Sequence, residues 1–337
     1  MHMADPLLSP AVGITMCAVS IGAIAYASAK IKKDELSEKK LPVMAVAGAF
    51  VFAAQMINFT IPATGSSGHI GGGILLAALL GSYPAMLTIS AVLIVQCLFF
   101  ADGGLLALGC NIFNMGIIPC LVVYPLIFKA LTGKGFSVRN LSAASILSVV
   151  IALQLGSFGV VLQTLASDIT ALPFGAFFAV MQPIHLAIGI VEGIVTGAVL
   201  CFVHRARPEI LTSAKERTGI TPTVPIGKTV IILCVITLTL SGGLSLFASA
   251  HPDGLEWSME QVAGTAELKS EGAIFDGAAS VQDTTAFMPD YDYSANGEES
   301  PPGGVAVAGI IGSIITFALA GFSGLIISRR RKHRDSV

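Results

Sequence analysis

The chain has 337 residues, is 54% hydrophobic and 12% charged, and carries a formal net charge of −2 with a mean hydropathy of +0.80. A soluble globular domain carries roughly 25% charged residues, so the composition excludes an ordinary soluble enzyme. It points to an all-α polytopic membrane protein, because a helix satisfies its own backbone polar groups inside lipid. No nucleic-acid partner is expected. The 36 glycines suit close helix packing in a bilayer. The six cysteines (Cys17, Cys97, Cys110, Cys120, Cys201 and Cys234) lie in or beside apolar stretches with no CxxC pair, and read as small packing residues.

The chain opens Met1-His2-Met3-Ala4-Asp5-Pro6, with no basic stretch before the first apolar run, so no cleaved export signal is expected. His2 is a large second residue, which favours retention of Met1. The Met1 amine, the His2 amide nitrogen and the His2 imidazole then form two adjacent chelate rings in one plane. Planar nitrogen ligation suits Ni2+ or Cu2+, with Co2+ next, and one more nitrogen completes a square.

Apolar runs follow at about 10–31, 42–61, 69–81, 84–100, 104–131, 141–166, 175–204, 227–249 and 304–328. Most reach the ~20 residues that a spanning helix needs. The run at 69–81 is short and ends at Gly81-Ser82-Tyr83-Pro84, so a half-length or tilted helix is expected there. With the N-terminus outside, all 19 basic residues except Lys269 fall on the inner side, as the positive-inside rule requires. Nine spans with the C-terminus inside result. The expected organisation is a seven-helix core over 1–205, an inner linker over 206–226, and an accessory region over 227–337. In that last region two spans, 227–249 and 304–328, flank an acidic outer insert at 250–302, which reads as a separate small module.

His69 shares the outer face with His2 and is the expected fourth nitrogen; Gly71-Gly72-Gly73 after it permit a tight loop that dips into the bundle. Asn58, Ser67, Asp102 and Asn111, near that face or within the apolar runs, are candidates to orient the histidines by hydrogen bonding. Gln55 and Asn114 read instead as ties between helices. His185 and Glu192 share one helix face. For Glu192, deep in a span, both a pairing with an internal polar group and a role in metal passage stay open. His204 reads as interfacial, and His251 and His333 as residues of polar segments. Gly227-Lys228-Thr229 looks like the end of a phosphate loop, but Pro222 stands where its first glycine belongs, so no nucleotide site is expected.

Met1-His2, Leu8-Ser9-Pro10, Phe52 to Phe59, Ser67-Gly68-His69, Leu98 to Gly104 with Ala107-Leu108-Gly109 and Asn111, and His185 to Glu192-Gly193 together resemble the nickel/cobalt substrate-binding component of energy-coupling factor transporters (the CbiM/NikM type). The resemblance covers about 1–205. The insert, opening Pro252-Asp253-Gly254-Leu255-Glu256, resembles the small accessory component often fused to it. The resemblance implies that Met1, His2 and His69 hold the metal. It also implies a separate transmembrane coupling protein and two cytoplasmic ATPase subunits as partners, and residence in a prokaryotic cell membrane. No cofactor and no enzymatic activity of the chain's own are expected. The family usually has isoleucine third, then an acidic residue followed by glycine; Met3-Ala4-Asp5-Pro6 departs from this, with Pro6 stiffening the tail. The substrate is expected to be Ni2+, with Co2+ close behind. The rival readings are a proton-coupled secondary carrier for a transition-metal cation working through Glu192, and, ranked below it, a membrane metal sensor signalling through Arg329 to Arg334.

Overall fold

The computed structural model describes residues 1–31, 33–36, 40–220, 226–266, 268–293 and 303–334. Of the residues weighed above, Pro222 lies outside this set, as do the side chains of Lys228, Thr229 and Arg330 to Arg334, including His333. The chain is an all-α membrane protein. Its helices are α1 (Pro10–Lys30), α2 (Lys40–Gln55), α3 (Gly73–Leu80), α4 (Ser82–Phe100), α5 (Leu108–Leu131), α6 (Val138–Ser167), α7 (Phe174–Ala206), α8 (Pro208–Glu216), α9 (Ile226–Gly242), α10 (Gly254–Ala263), α11 (Ala273–Thr285) and α12 (Gly304–Arg334). Among the described residues, seven helices are long and apolar enough to cross a bilayer. Ile21, Leu126 and Ile231 stand outward at 66%, 70% and 64% exposure, which fits a lipid-facing surface rather than a watery one.

One of the nine expected passes differs, and the short one is half-length as expected. The 42–61 run is not one helix: α2 stops at Gln55, and β1 (Phe59–Ile61) pairs antiparallel with β2 (Ser66–Gly68), Phe59 opposite Gly68. Ala63 and Gly65, both at positive φ, make the reversal that closes this hairpin. The 69–81 run yields only the eight residues of α3, about 12 Å of helix against a hydrocarbon core of ~30 Å. Gly72 at φ 78° turns the chain into α3, where an added Cβ would sit 2.5 Å from Val51. Irregular backbone at membrane depth is tolerated when it is buried in protein, and every residue of α3 is buried.

Local sequence explains the other boundaries. Pro10 opens α1 with its φ already set for a helix. A reciprocal Ser137–Asn140 capping box opens α6, and Asp253–Glu256 does the same for α10. Within α5, Pro119 and Pro125 withhold their donors, and residues 113–128 relax to i→i+5 hydrogen bonding.

The linker after α7 is not bare chain. It forms α8, which buries Ile210, Leu211 and Ala214. Nor does the insert stand apart as the sequence suggests. Leu255 and Met259 of α10 are buried with Phe177 and Met181 of α7, and Gln282 of α11 donates to the carbonyls of Cys97 and Gly103, each at 3.0 Å. An amphipathic helix with no core of its own buries its apolar stripe on whatever face is nearest, here the end of the bundle that carries the N-terminus. α12 lies against α2, where Gly312 leaves room for the Phe52 ring.

Candidate metal-capture site

The N-terminal tail is pinned from two sides before α1 begins. Asn111 of α5 clamps the Met3 main chain, accepting from its N–H at 2.8 Å and donating to its carbonyl at 3.2 Å. The same carbonyl accepts from Gly104 N–H at 3.0 Å, and Asp5 Oδ1 accepts from Ala107 N–H at 2.9 Å. Asp5 thus ties the tail to the connection ahead of α5. Met3 itself is fully buried and packs.

This anchoring delivers Met1 and His2 to His69. The Met1 amine lies 3.5 Å from His69 Nε2, and the His2 and His69 rings stack at 5.3 Å between centroids and 15° between planes. His69 Nδ1 faces its neighbour's carbonyl, Ile70 O, at 3.1 Å; a carbonyl only accepts, so the proton sits on Nδ1 and the Nε2 lone pair faces Met1.

The tautomer of His2 is fixed by a longer chain of bonds. Gly71 O can only accept, so Gln55 turns its Nε2 to it at 3.0 Å. The Gln55 Oε1 then accepts from Gln96 Nε2 at 3.0 Å. Gln96 Oε1 is left facing His2 Nε2 at 3.2 Å, so His2 Nε2–H donates and Nδ1 is free of hydrogen. Nδ1 is the nitrogen a chelate with the Met1 amine and the His2 amide would use. It faces Asp102 Oδ1 at 3.3 Å. Burial raises the Asp102 carboxyl, even though the Tyr291 hydroxyl donates to its Oδ2, and its protonated form can donate to the Nδ1 lone pair.

Burial, helped by the adjacent terminal ammonium, pushes the His2 imidazole down to about 3, and burial with the ammonium and His2 pushes His69 down to about 4. Both rings are therefore neutral across the physiological range and ready to ligate. A metal arriving at neutral pH therefore has no imidazolium proton to displace. The amine donates to Asp253 Oδ2 of the insert. Burial alone would raise the Asp253 carboxyl, but the ammonium and His69 hold it well below the usual carboxylate range.

Among the described residues no group of three or more His, Cys, Asp or Glu side chains is arranged to hold a metal. In the corner of Met1, His2 and His69, main-chain and imidazole nitrogens meet.

The other candidates separate. Asn111 acts on the main chain of Met3 and not on a ring. Asp102 reaches His2. Ser67 touches neither histidine: its Oγ donates to His251 O at 2.7 Å and its N–H to Pro252 O at 2.8 Å, which binds the hairpin to the insert. Asn58 lines a cavity of about 590 Å3 shared with His2, His69 and Asp102, and its carbonyl accepts from Ser249 N–H at 2.8 Å. Asn114 pairs reciprocally with Gln163 and ties α5 to α6. Gln55 does more than tie helices, since it sets the polarity that ends at His2. Gln96, Tyr291 and Asp253 were missed; a lone glutamine inside the apolar α4 was the available signal for Gln96.

Residues 2–210 match the family model described as the cobalt uptake substrate-specific transmembrane region, and residues 227–329 match the PDGLE domain. The chain belongs to the cobalt-uptake substrate-specific transmembrane family, fused to a PDGLE domain. It is 30% identical over 327 residues to a putative fused nickel transport protein NikMN of Archaeoglobus fulgidus, covering 95% of this chain and 96% of that one. It is 31% identical to the fused nickel transport protein NikMN of Rhodobacter capsulatus over 63% of this chain and 64% of that one. It is also similar to a crystal structure described as a transition metal transporter, at 32% identity and a TM-score of 0.53, covering 62% of this chain and 95% of that chain. The chain is a nickel/cobalt-type metal transport protein of a membrane.

Proposed function

We propose that the chain is the substrate-capture unit of an energy-coupling factor transporter, taking up Ni2+, with Co2+ next, at the extracytoplasmic face of a prokaryotic cell membrane. The observation that carries the reading is the meeting of the Met1 amine, His2 and His69, with both imidazoles neutral and His2 Nδ1 bare. The Met1 amine, the His2 amide nitrogen, His2 Nδ1 and His69 Nε2 supply four nitrogens, and a square of nitrogens suits a d8 ion. Binding then releases protons from the amine and the amide. Basic residues other than Lys269 gathered on one side support an outer N-terminus and an inner C-terminus.

Energy for inward release comes, in this reading, from a transmembrane coupling protein and two cytoplasmic ATPase subunits. The sequence supports this, because Gly227-Lys228-Thr229 has Pro222 where a phosphate-binding loop has its first glycine. The test is nickel uptake by cells carrying this chain with and without those subunits. Uptake only in their presence supports the reading. Uptake without them, abolished by a protonophore, contradicts it in favour of a proton-coupled carrier.

A further inference from the structure

Two buried polar side chains have an end that nothing in the fold uses, and both open onto the same space. His185 and Glu192 of α7 are 1% and 2% exposed. His185 donates Nδ1–H to Met181 O at 2.8 Å, which leaves Nε2 as a bare lone pair with no hydrogen-bond partner. A ring nitrogen fixed in this way by a backbone carbonyl is the arrangement that readies the other nitrogen for a metal. Glu192 accepts the Gly72 N–H on Oε1 at 2.9 Å, while Oε2 has no hydrogen-bond partner. Both residues line a narrow cavity of about 40 Å3 whose wall also includes Met1 and His69. One water needs roughly 10–15 Å3 of such space, so the cavity has room for an ion with a water or two. Leaving two buried polar atoms unmatched costs stability, which calls for an occupant.

We propose that His185 and Glu192 bind the transported divalent cation transiently on its way inward from the N-terminal nitrogens. The inference rests on the capture reading above and adds a second site to it. Seven residues of helix separate the two side chains by about 10 Å. They therefore act as successive handholds, each giving one donor to an ion that keeps only the water or two the cavity admits, so that each stop is brief. An imidazole nitrogen followed by a carboxylate oxygen is an environment that Ni2+ and Co2+ accept but hold less firmly than four nitrogens in a plane. A transit site has to let go, and this one has the weaker donor set. The bare Oε2 of Glu192 lies beside the main chain of Gly71, where an added Cβ would be 3.5 Å away, so nothing bulky stands between the carboxylate and the His69 loop.

The test uses the purified full chain, first saturated with Ni2+ and then titrated with Co2+ while the absorption of non-planar Co2+ is followed. The wild type is expected to take a second, weaker metal ion. His185→Gln and Glu192→Gln are each expected to weaken that second binding at least tenfold, with the planar Ni2+ band unchanged and uptake in cells reduced at least tenfold. Glutamine at 192 can still accept the Gly72 N–H, so the loop keeps its anchor. No second Co2+ in the wild type, or equal second binding in both variants, overturns the proposal and leaves water as the occupant. Loss of the planar band in both variants also overturns it, because the pair would then only hold the fold. Absence of the planar band from the wild type is a different result, and it sinks the capture reading itself.

Discussion

The Met1 amine donates to the Asp253 carboxylate across 252 residues of sequence, so the first residue of the core is held by the residue that caps the first helix of the insert. Metal and Asp253 compete for one nitrogen, because an amine that donates its lone pair to a metal no longer needs the carboxylate. Asn at 253 keeps the Oδ1 cap that accepts from Leu255 and Glu256 and loses the charge. A charge-assisted hydrogen bond contributes about 1.5–3 kcal/mol, so Asp253→Asn is expected to tighten nickel binding about tenfold. Titration calorimetry measures it. Weaker binding would mean that Asp253 helps hold the metal instead of the ammonium.

Both histidines of the corner are expected to be neutral far below the ordinary value of 6.5, with His2 near 3 and His69 near 4. The unfolded chain therefore takes up protons first as pH falls. Stability of the metal-free corner is full above about pH 6.5 and is lost progressively as pH drops towards 4. Nitrogen-15 shifts of the two rings should show neutral imidazoles at pH 6, with the proton on Nε2 in His2 and on Nδ1 in His69. Titration midpoints near 6.5 would contradict the buried corner.

The chain from Gly71 through Gln55 and Gln96 leaves His2 no choice of tautomer. Gln96→Leu removes the acceptor for Nε2–H and frees the ring to turn. Loss of such an orienting partner costs about 10- to 100-fold in metal affinity. Competition with a chromophoric chelator reads it, and an unchanged affinity would mean that the stacking on His69 is enough to fix the ring.

Helix packing in the core depends on missing side chains. A Cβ at Gly193 of α7 would sit 2.7 Å from Ile146 Cα of α6, so the backbones themselves must part. Gly193→Ala is expected to cost about 1–3 kcal/mol as overpacking does, seen as a lower melting temperature in detergent. An unshifted melt would mean that α6 and α7 slide freely.

Much of this was legible from residue type alone. The membrane class followed from hydropathy, and the half-length α3 from its terminal Gly81 and Pro84. Met1, His2 and His69 stood out because their nitrogens are chemically unusual together. Gln96 and Asp253 did not, because their roles arise from contacts 41 and 252 residues away in sequence, to Gln55 and Met1. Strand β1 was hidden at the end of an apolar run whose hydropathy is the same for strand and helix, and β2 lay in the polar Ser- and Gly-rich stretch after it. Ser67 was read for its neighbour His69, whereas its hydroxyl serves the insert.

The central claim is that the chain's own first nitrogen is a metal ligand. Adding one residue ahead of Met1 removes that nitrogen from the chelate while keeping every native side chain. Nickel content and planar-site d–d absorption of the two purified forms decide the matter. The account predicts one bound nickel with a planar band in the intact protein, and loss of both in the extended one. Equal nickel and equal absorption in the two forms would contradict it.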